Sequence, residues 1–177
     1  MTSGSRRPAT PAEGRALASA VRLRILRLCL EQALTNKEIA QRLGTNPATT
    51  LHHVRTLVAT GFLQAQDERR GTRGAREVPY RSTGKSWTLD VDDRAVRGTG
   101  QAMVDAFLAE ARLVDLDRAM LSRLGLRLTD TEHGELRDRL QALLDEYAAR
   151  PPSAGGHAYS VFVAIHPDLA RESGRSA

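Results

Sequence analysis

The chain has 177 residues, of which 41% are hydrophobic, so one or two small domains with a packed core are expected. Residues 1–90 hold 15 basic and 7 acidic side chains, whereas residues 91–177 hold 11 and 14, and a basic front half indicates nucleic-acid binding. No apolar run has the length of a membrane span, which predicts no membrane partner. A single cysteine excludes an internal disulfide and predicts a cytoplasmic protein.

The first segment is predicted to be a disordered arm over residues 1–12, because Ser, Pro, Gly and Arg dominate it. A helix is then predicted from Pro11 to Gln32, with apolar residues at helical spacing. This helix is apolar on more than one side, so we expect it to pack on a partner subunit as well as on its own domain. Cys29 lies in the apolar stripe and is interpreted as a small buried residue.

Residues 35–61 predict two short helices joined by a tight turn. Thr35 and Glu38 have the spacing of a capping box, and Asn46 followed by Pro47 is a typical helix start. The second helix has one apolar stripe and one polar face, the pattern of a helix-turn-helix whose second helix enters the major groove of DNA. The residues predicted to contact DNA here are Lys37, Asn46, Pro47, Thr49, His52 and Arg55. His53 is predicted to be half-buried, and it does not form a metal site with His52, because neighbouring helical residues point in different directions.

The next segment predicts a hairpin, with strands at Phe62–Glu68 and Ala75–Thr83 joined by a turn at residues 69–74. Two glycines supply the backbone freedom that a hairpin loop needs. The basic residues expected to lie along the DNA backbone or in a minor groove are Arg69, Arg70, Arg73 and Arg76. A helix-turn-helix followed by a basic hairpin is a winged helix, which we place at residues 13–90.

Four motifs in this region resemble those of the ArsR/SmtB-type winged-helix transcriptional regulators. They are VRLRIL at 21–26, LTNKEIAQRLG at 34–44, TTLHHVRTLVATGFL at 49–63 and YRSTGKSW at 80–87. The chain is similar to an actinobacterial-like member with a C-terminal extension. The resemblance implies a homodimeric repressor that releases DNA when it senses a signal.

A dimerisation helix is predicted within residues 91–118, from Asp92 to Asp117, because an apolar stripe runs along one face. Left in water, such a stripe is a large exposed patch, and pairing across a two-fold axis buries it. The residues expected at this dimer interface, including one from the first helix, are Leu17, Val96, Met103, Phe107 and Val114.

The remaining chain predicts a small α+β tail over residues 119–167, with residues 168–177 disordered. Leucines alternate over Leu124–Leu128 as in a half-buried strand. Thr129 and Glu132 then begin a helix that ends near Arg150, and the apolar run Tyr159–Ile165 predicts a second strand. The candidate pocket for a small organic effector is lined by Tyr147, Tyr159 and Phe162. The alternative is that these aromatic residues fill the core of the tail.

Together these features predict an α+β protein, a winged helix-turn-helix followed by a dimerisation helix and a strand-helix-strand tail. We expect a sequence-specific DNA-binding transcriptional regulator whose partners are double-stranded DNA and a second copy of itself. The alternative is a protein–protein interaction module. No enzyme, cofactor or metal is predicted, because phosphate-binding and nucleophile motifs are missing and the histidines are dispersed.

Overall fold

A computed structural model describes residues 6–71, 74, 76–90 and 97–172. The chain divides into two compact units, of which one covers Ser5–Asp115 and the other begins at Leu116. We call them the winged unit and the tail unit. Among the described residues, none of the helices combines the length and hydropathy that crossing a bilayer requires.

In its described residues, the winged unit contains five α-helices, a 3-10 helix at Lys85–Thr88 and three small sheets. The helices are α1 Pro11–Leu17, α2 Ala20–Leu28, α3 Asn36–Leu43, α4 Pro47–Ala59 and α5 Thr99–Ala111. The strands are β1 Arg7–Pro8, β2 Leu34–Thr35, β3 Leu63–Ala65, β4 Arg69–Arg70, β5 Arg76–Glu77, β6 Pro79–Ser82 and β7 Leu89–Asp90. Strands β2, β6 and β3 form an antiparallel sheet with β6 in the middle, β1 pairs with β7 in parallel, and β4 pairs with β5. The α+β winged-helix prediction is confirmed by this architecture.

One core joins α1 to α4 and the strands. Ile25, Ile39, Val54 and Leu57 are each 0% exposed and Leu17 of α1 is 3% exposed, so the four helices present apolar faces to a common interior. Helix α5 packs against α1 and α2. It does so through Ala102 and Ala106, both buried, since small side chains let helix backbones approach closely.

The single first helix predicted over Pro11–Gln32 is wrong. The helix ends at Leu17, a new one begins at Ala20, and that one ends at Leu28. The guanidinium of Arg22 stabilises the break, because it donates to the carbonyl oxygens of Ala16 at 2.5 Å and Arg15 at 2.6 Å, two groups that a helix end leaves without intrahelical partners.

Two other predictions for this region need correction. The disordered arm is ordered from Arg6 onward, since Arg7–Pro8 pairs with Leu89–Asp90 and Thr10 caps α1. Leu17 is 3% exposed and belongs to the core of its own unit. Its side chain therefore presents no surface to a partner, contrary to its predicted place in a dimer interface.

A buried carboxylate ties the N-terminal segment to the base of the hairpin. Glu13 is 6% exposed and accepts hydrogen bonds from Arg7 at 2.6 and 2.9 Å. Lys85 forms a second ion pair with it at 2.7 Å. Hydrogen bonds from Arg7, and further ones from Lys85 and Thr10, hold the pKa of Glu13 well below its usual range against the opposing effect of burial. The cluster is thus a charged cross-link between distant parts of the sequence.

The tail unit is built on one long helix, α6 Asp130–Ala148, with a short α7 at Leu169–Glu172. The capping box predicted at Thr129 and Glu132 is present. Neither predicted tail strand forms: residues 121–129 and 156–168 have no regular secondary structure. A strand needs a neighbour for its backbone hydrogen bonds, and two short isolated strands make at best a marginal sheet. The strand-helix-strand prediction is wrong for this reason.

Candidate nucleic-acid interface

The turn between α3 and α4 follows from local sequence. Thr35 and Glu38 satisfy each other's backbone amides at the start of α3, at 3.3 and 2.7 Å. Gly44 ends the helix in the left-handed conformation, with φ of 65°, where a side chain is disfavoured. Asn46 then caps α4 by accepting from the amide of Ala48 at 2.8 Å. Two helices are thereby joined at a fixed angle by a very short connection.

Helix α4 is held at both ends by contacts that sequence reasoning did not foresee. At its start, the side-chain amide of Asn36 donates to the carbonyl of Pro47 at 2.9 Å, which joins the first turns of α3 and α4. At its end, the Lys85 ammonium donates to the carbonyl of Thr60 at 2.6 Å. The second contact links α4 to the Glu13 cluster. The sequence holds no signal for either bond, because each joins residues distant in the chain.

The two faces of α4 differ as the pattern of one apolar stripe and one polar face predicts, except that Val58, expected in the buried stripe, is 37% exposed. Thr50, Val54 and Leu57 are at most 1% exposed and anchor the helix. All the residues predicted to contact DNA from α3 and α4 are exposed: Lys37, Asn46, Pro47, Thr49, His52 and Arg55. Side chains on the outer face are free to reach a ligand the size of a duplex. We call this exposed set the reading face.

His53 is half-buried. Burial lowers its pKa, and the nearby charges of Arg22 and His52 lower it further. Its Nδ1 has no hydrogen-bond partner among the described residues. A neutral ring at the inner edge of α4 is consistent with packing against the domain.

The described residues contain no group of three or more His, Cys, Asp or Glu side chains arranged to hold a metal ion. The thiol of Cys29 is 0% exposed, and desolvation raises its pKa to about 11. A buried neutral thiol packs as an apolar group.

The hairpin that follows α4, residues 62–83, is called the wing. Its base is formed by β3 and β6 and its outer part by β4 and β5, with Arg69 opposite Glu77 and Arg70 opposite Arg76. Arg76 lies 3.6 Å from a carboxylate oxygen of Glu68 and is 86% exposed. Arg70 is exposed and has no carboxylate partner in the part of the chain that the structure describes. The fourth predicted wing arginine, Arg73, lies outside the described residues.

Arg69 joins the wing to the helix-turn-helix. Its guanidinium lies 2.6 Å from Glu38 Oε1 and 3.8 Å from Glu77 Oε2. The other oxygen of Glu38 caps α3, so one carboxylate serves both elements, and the pKa of Glu38 is lowered by these bonds, the Thr35 amide first. The sequence shows the capping role of Glu38 but not this contact, since Arg69 follows 31 residues later.

Two of the predicted dimer residues, Met103 and Phe107, lie on α5, and Val114 follows the end of that helix. Met103 is 38% exposed, Val114 is 58% exposed and Phe107 is half-buried, whereas Val96 lies outside the described residues. Val104 and Leu108, at 37% and 48% exposure, widen the apolar surface and were missed. The helix predicted over Asp92–Asp117 ends at Ala111, six residues earlier than predicted. Its first described turn follows Gly98 in a left-handed conformation.

The candidate effector pocket in the tail is not formed by the described residues. Tyr147 and Tyr159 are 60% and 83% exposed, and Phe162 is 39% exposed. Side chains this exposed to solvent do not enclose a ligand. The alternative that they fill a tail core fails for the same reason, because a core residue is shielded from water.

Comparisons with known proteins give one family match and several solved structures of low similarity. Residues 17–64 match a family model described as a helix-turn-helix domain, and no curated protein matches the chain. The chain is similar to the solved structure of reduced HlyU from Vibrio cholerae, with 20% identity and a TM-score of 0.34, covering 53% of this chain and 81% of that one. It is also similar to the homodimeric winged helix-turn-helix domain of Mb0332 from Mycobacterium bovis, a possible ArsR-family regulator. There the identity is 23% and the TM-score 0.35, over 63% of this chain and 85% of that one. A third likeness is to Lactococcus lactis ZitR in complex with DNA, with 21% identity, a TM-score of 0.33 and coverages of 72% and 74%.

These scores are low, so the class rests on the matched domain and on the geometry above. The first unit is a winged helix-turn-helix, and the family match confirms the helix-turn-helix predicted in it. A helix-turn-helix places its second helix in the major groove of DNA, so this unit has the fold of a DNA-binding domain.

Proposed function

We propose that the protein is a homodimeric repressor that reads the major groove of an operator with α4 and contacts the backbone or minor groove with the wing. One observation carries the proposal: the exposed polar face of α4 sits on a helix fixed at both ends, by Asn36 at the start and Lys85 at the end. Base recognition needs side chains held in a defined position, since a misplaced donor cannot reach a base edge.

Arg55 and His52 are the proposed base-reading residues, because both are exposed on the outer face of α4. An arginine forms two parallel hydrogen bonds with the major-groove edge of guanine. Asn46, Pro47 and Thr49 lie at the start of α4 and Lys37 in the first turn of α3. We expect these residues to contact phosphates or base edges.

In the wing, Arg70 is the proposed principal phosphate contact. Arg69 and Arg76 already have carboxylate partners. Either guanidinium must therefore break its ion pair, or bind both groups at once, before it can contact a phosphate. Glu38 is also a negative charge beside the reading face, so it opposes DNA binding at the same time as it steadies the wing. Arg73 remains a predicted member of this set.

The dimer is proposed to form through the exposed apolar side chains of α5, Met103, Val104 and Leu108, with Phe107, Val114 and Val96 as further members. A single winged helix reads one short half-site, and two copies spaced about one helical turn apart, roughly 34 Å, read a palindrome. The domain limits of 13–90 and 91–118 follow from this division into a reading part and a pairing part.

The function is tested by binding of the full chain to a library of duplexes across a range of salt concentrations. Arg55→Ala is expected to lose about 1–3 kcal/mol of discrimination at particular base pairs. Arg70→Gln is expected to weaken all duplexes alike and to lower the salt slope by about 1. Arg139→Gln, an exposed arginine on α6, is the charge-matched control.

If Arg55→Ala lowers the affinity equally for every duplex, Arg55 contacts a phosphate instead of a base. Failure of the wild-type chain to bind random duplex at low salt favours the alternative of a protein-interaction module. Glu38→Gln sharpens the wing result: glutamine keeps the capping-box spacing but removes the charge, so affinity for every duplex should rise.

A further inference from the structure

We propose that the winged unit binds a small carboxylic acid with an apolar tail in a cavity between α2, α3 and α5. The cavity has a volume of about 240 Å³. Drug-sized sites span about 300–1,000 Å³, so the ligand is small. None of the residues of the reading face or the wing lines it.

The charge of the cavity selects an anion. Its lining includes three arginines, Arg24, Arg27 and Arg42, and one acid, Glu110. Glu110 lies 3.2 Å from Arg27 and so balances one guanidinium. Arg24 and Arg42 have no carboxylate partner among the described residues, although Arg42 donates to the side-chain amide oxygen of Gln32 at 2.5 Å. Two positive charges without a neutralising carboxylate therefore line one concavity. Guanidinium groups match carboxylates with paired, charge-assisted hydrogen bonds.

The rest of the lining selects an apolar tail. Leu28, Leu43 and Leu113 complete the wall, and Leu113 is 75% exposed. Covering these side chains removes apolar surface from water, which favours a chain of methylene groups over a bare ion. An alkyl chain that ends in a carboxylate can contact both the arginines and the leucines of the cavity. Acetate offers only the carboxylate, and an aliphatic alcohol offers only the alkyl chain.

The position of the cavity would allow a bound ligand to change the affinity of the protein for DNA. Arg42 and Leu43 are the last residues of α3, next to the turn into α4. Glu110 lies in the last turn of α5, and Leu113 follows two residues after that helix ends. A ligand that binds there bridges the helix-turn-helix to the helix proposed for dimerisation. It shifts DNA affinity only if it binds the two states of that junction unequally. This coupling step rests on the proposed function, but binding of the acid does not.

The test uses the full chain without DNA and three probes: octanoate, acetate and octan-1-ol. Calorimetry should show saturable octanoate binding at one site per chain, with acetate and octan-1-ol each at least about tenfold weaker, because each lacks one of the two recognised parts. Amide chemical shifts should move in α2, α3 and the end of α5. Equal binding of octanoate and octan-1-ol, or no binding of octanoate, would overturn the proposal.

Variants separate this cavity from general charge effects. Arg24→Gln with Arg42→Gln should weaken octanoate at least about tenfold, whereas Arg15→Gln with Arg97→Gln, two exposed arginines outside the cavity, should leave it unchanged. Glu110→Gln should strengthen binding, because a competing carboxylate beside Arg27 is removed, and this gain does not depend on the double variant folding. Undiminished octanoate affinity in a folded Arg24→Gln, Arg42→Gln chain contradicts the assignment.

The coupling is measured in both directions. The factor by which octanoate changes affinity for a duplex selected by the protein should equal the factor by which that duplex changes octanoate affinity. Octanoate binding with no effect on DNA confines the site to ligand binding and overturns the coupling alone. If the ligand-free double variant instead loses DNA affinity and salt slope while wild type ignores octanoate, the arginines belong to the DNA interface and the proposal is wrong.

Discussion

The winged unit and the tail unit contain similar kinds of apolar residue but differ in what those residues contact. In the winged unit, leucines and isoleucines from four helices reach 0–5% exposure. From Leu116 to Arg171, none of the described side chains is buried, and leucines such as Leu121 and Leu143 are 67% and 51% exposed. Apolar composition therefore does not make a core without elements to pack against each other.

The two units also show that a local helix-start motif does not determine whether the helix packs into a core. Both α3 and α6 begin with a complete Thr–Glu capping box. Helix α3 goes on to bury Ile39 and Ala40, whereas α6 has no buried residue. A cap defines where a helix starts, and burial in a core supplies most of the stability of a helix in a folded protein.

The largest expected difference between the units comes from shortening a leucine in each. Leu57→Ala leaves a cavity at a position of 0% exposure and should lower the free energy of unfolding by about 2–5 kcal/mol. Leu143→Ala, at a position of 51% exposure, should change it by no more than about 0.5 kcal/mol. Chemical unfolding of the full chain measures both. A comparable loss at Leu143 would show that the tail has a core of its own.

A second comparison uses two leucines of nearly equal exposure, Leu108 at 48% on α5 and Leu143 at 51% on α6. If α5 pairs across a two-fold axis, Leu108→Asp places a charge in the interface and should weaken the dimer by at least about 2 kcal/mol. Leu143→Asp should leave association unchanged. Sedimentation equilibrium reports both. Dissociation by Leu143→Asp, with Leu108→Asp still dimeric, would move the dimer interface to the tail.

The third prediction concerns the buried ion cluster, which has no counterpart in the described tail. Glu13→Gln should cost about 1–3 kcal/mol at neutral pH, because the carboxylate partner of Arg7 and Lys85 is lost. The folded pKa of Glu13 lies below its usual value, so its stabilisation is complete above that usual value and is lost as the pH falls toward the folded value. The gap between wild type and variant should therefore narrow in acid.

The matched control is Glu146→Gln on α6, whose partner Arg150 belongs to an exposed pair. It should leave the midpoint of unfolding unchanged. A gap between wild type and Glu13→Gln that stays constant down to strongly acid pH would mean that ionisation of Glu13 does not stabilise the fold.

The features that the sequence predicted best depend on residues close together in the chain. The turn at Gly44, the start of α4 at Asn46 and the outward face with Arg55 all follow from residues a few positions apart. The capping box of Thr10 and Glu13 carries the same signal and was missed, although it marks the start of α1 as plainly as Thr35 and Glu38 mark that of α3.

The features that failed depend on distant contacts. The break between α1 and α2 is stabilised by a side chain reaching back to carbonyls of the previous helix. The wing-to-helix bond of Arg69 and Glu38 joins residues far apart in the chain. The tail strands were predicted from alternation at Leu124–Leu128 and from the apolar run Tyr159–Ile165, but either pattern forms a strand only when another strand lies beside it. Each of these features is a tertiary contact, and a local sequence pattern does not specify which distant residue a side chain or strand will contact.

The smallest expected effect tests the separation of cap and core directly, by removing the same threonine oxygen from both helices. Thr35→Ala should lower the free energy of unfolding by about 1 kcal/mol, because α3 is part of the core and its start is coupled to global folding. Thr129→Ala should leave the global unfolding transition unchanged, since α6 buries no residue. Its effect should instead be local, with faster hydrogen exchange in the first turn of α6. Serine at either position restores the hydroxyl and should reverse both effects. A fall in global stability in Thr129→Ala equal to that in Thr35→Ala would mean that the two units unfold as one, and that the division between them is weaker than their burial implies.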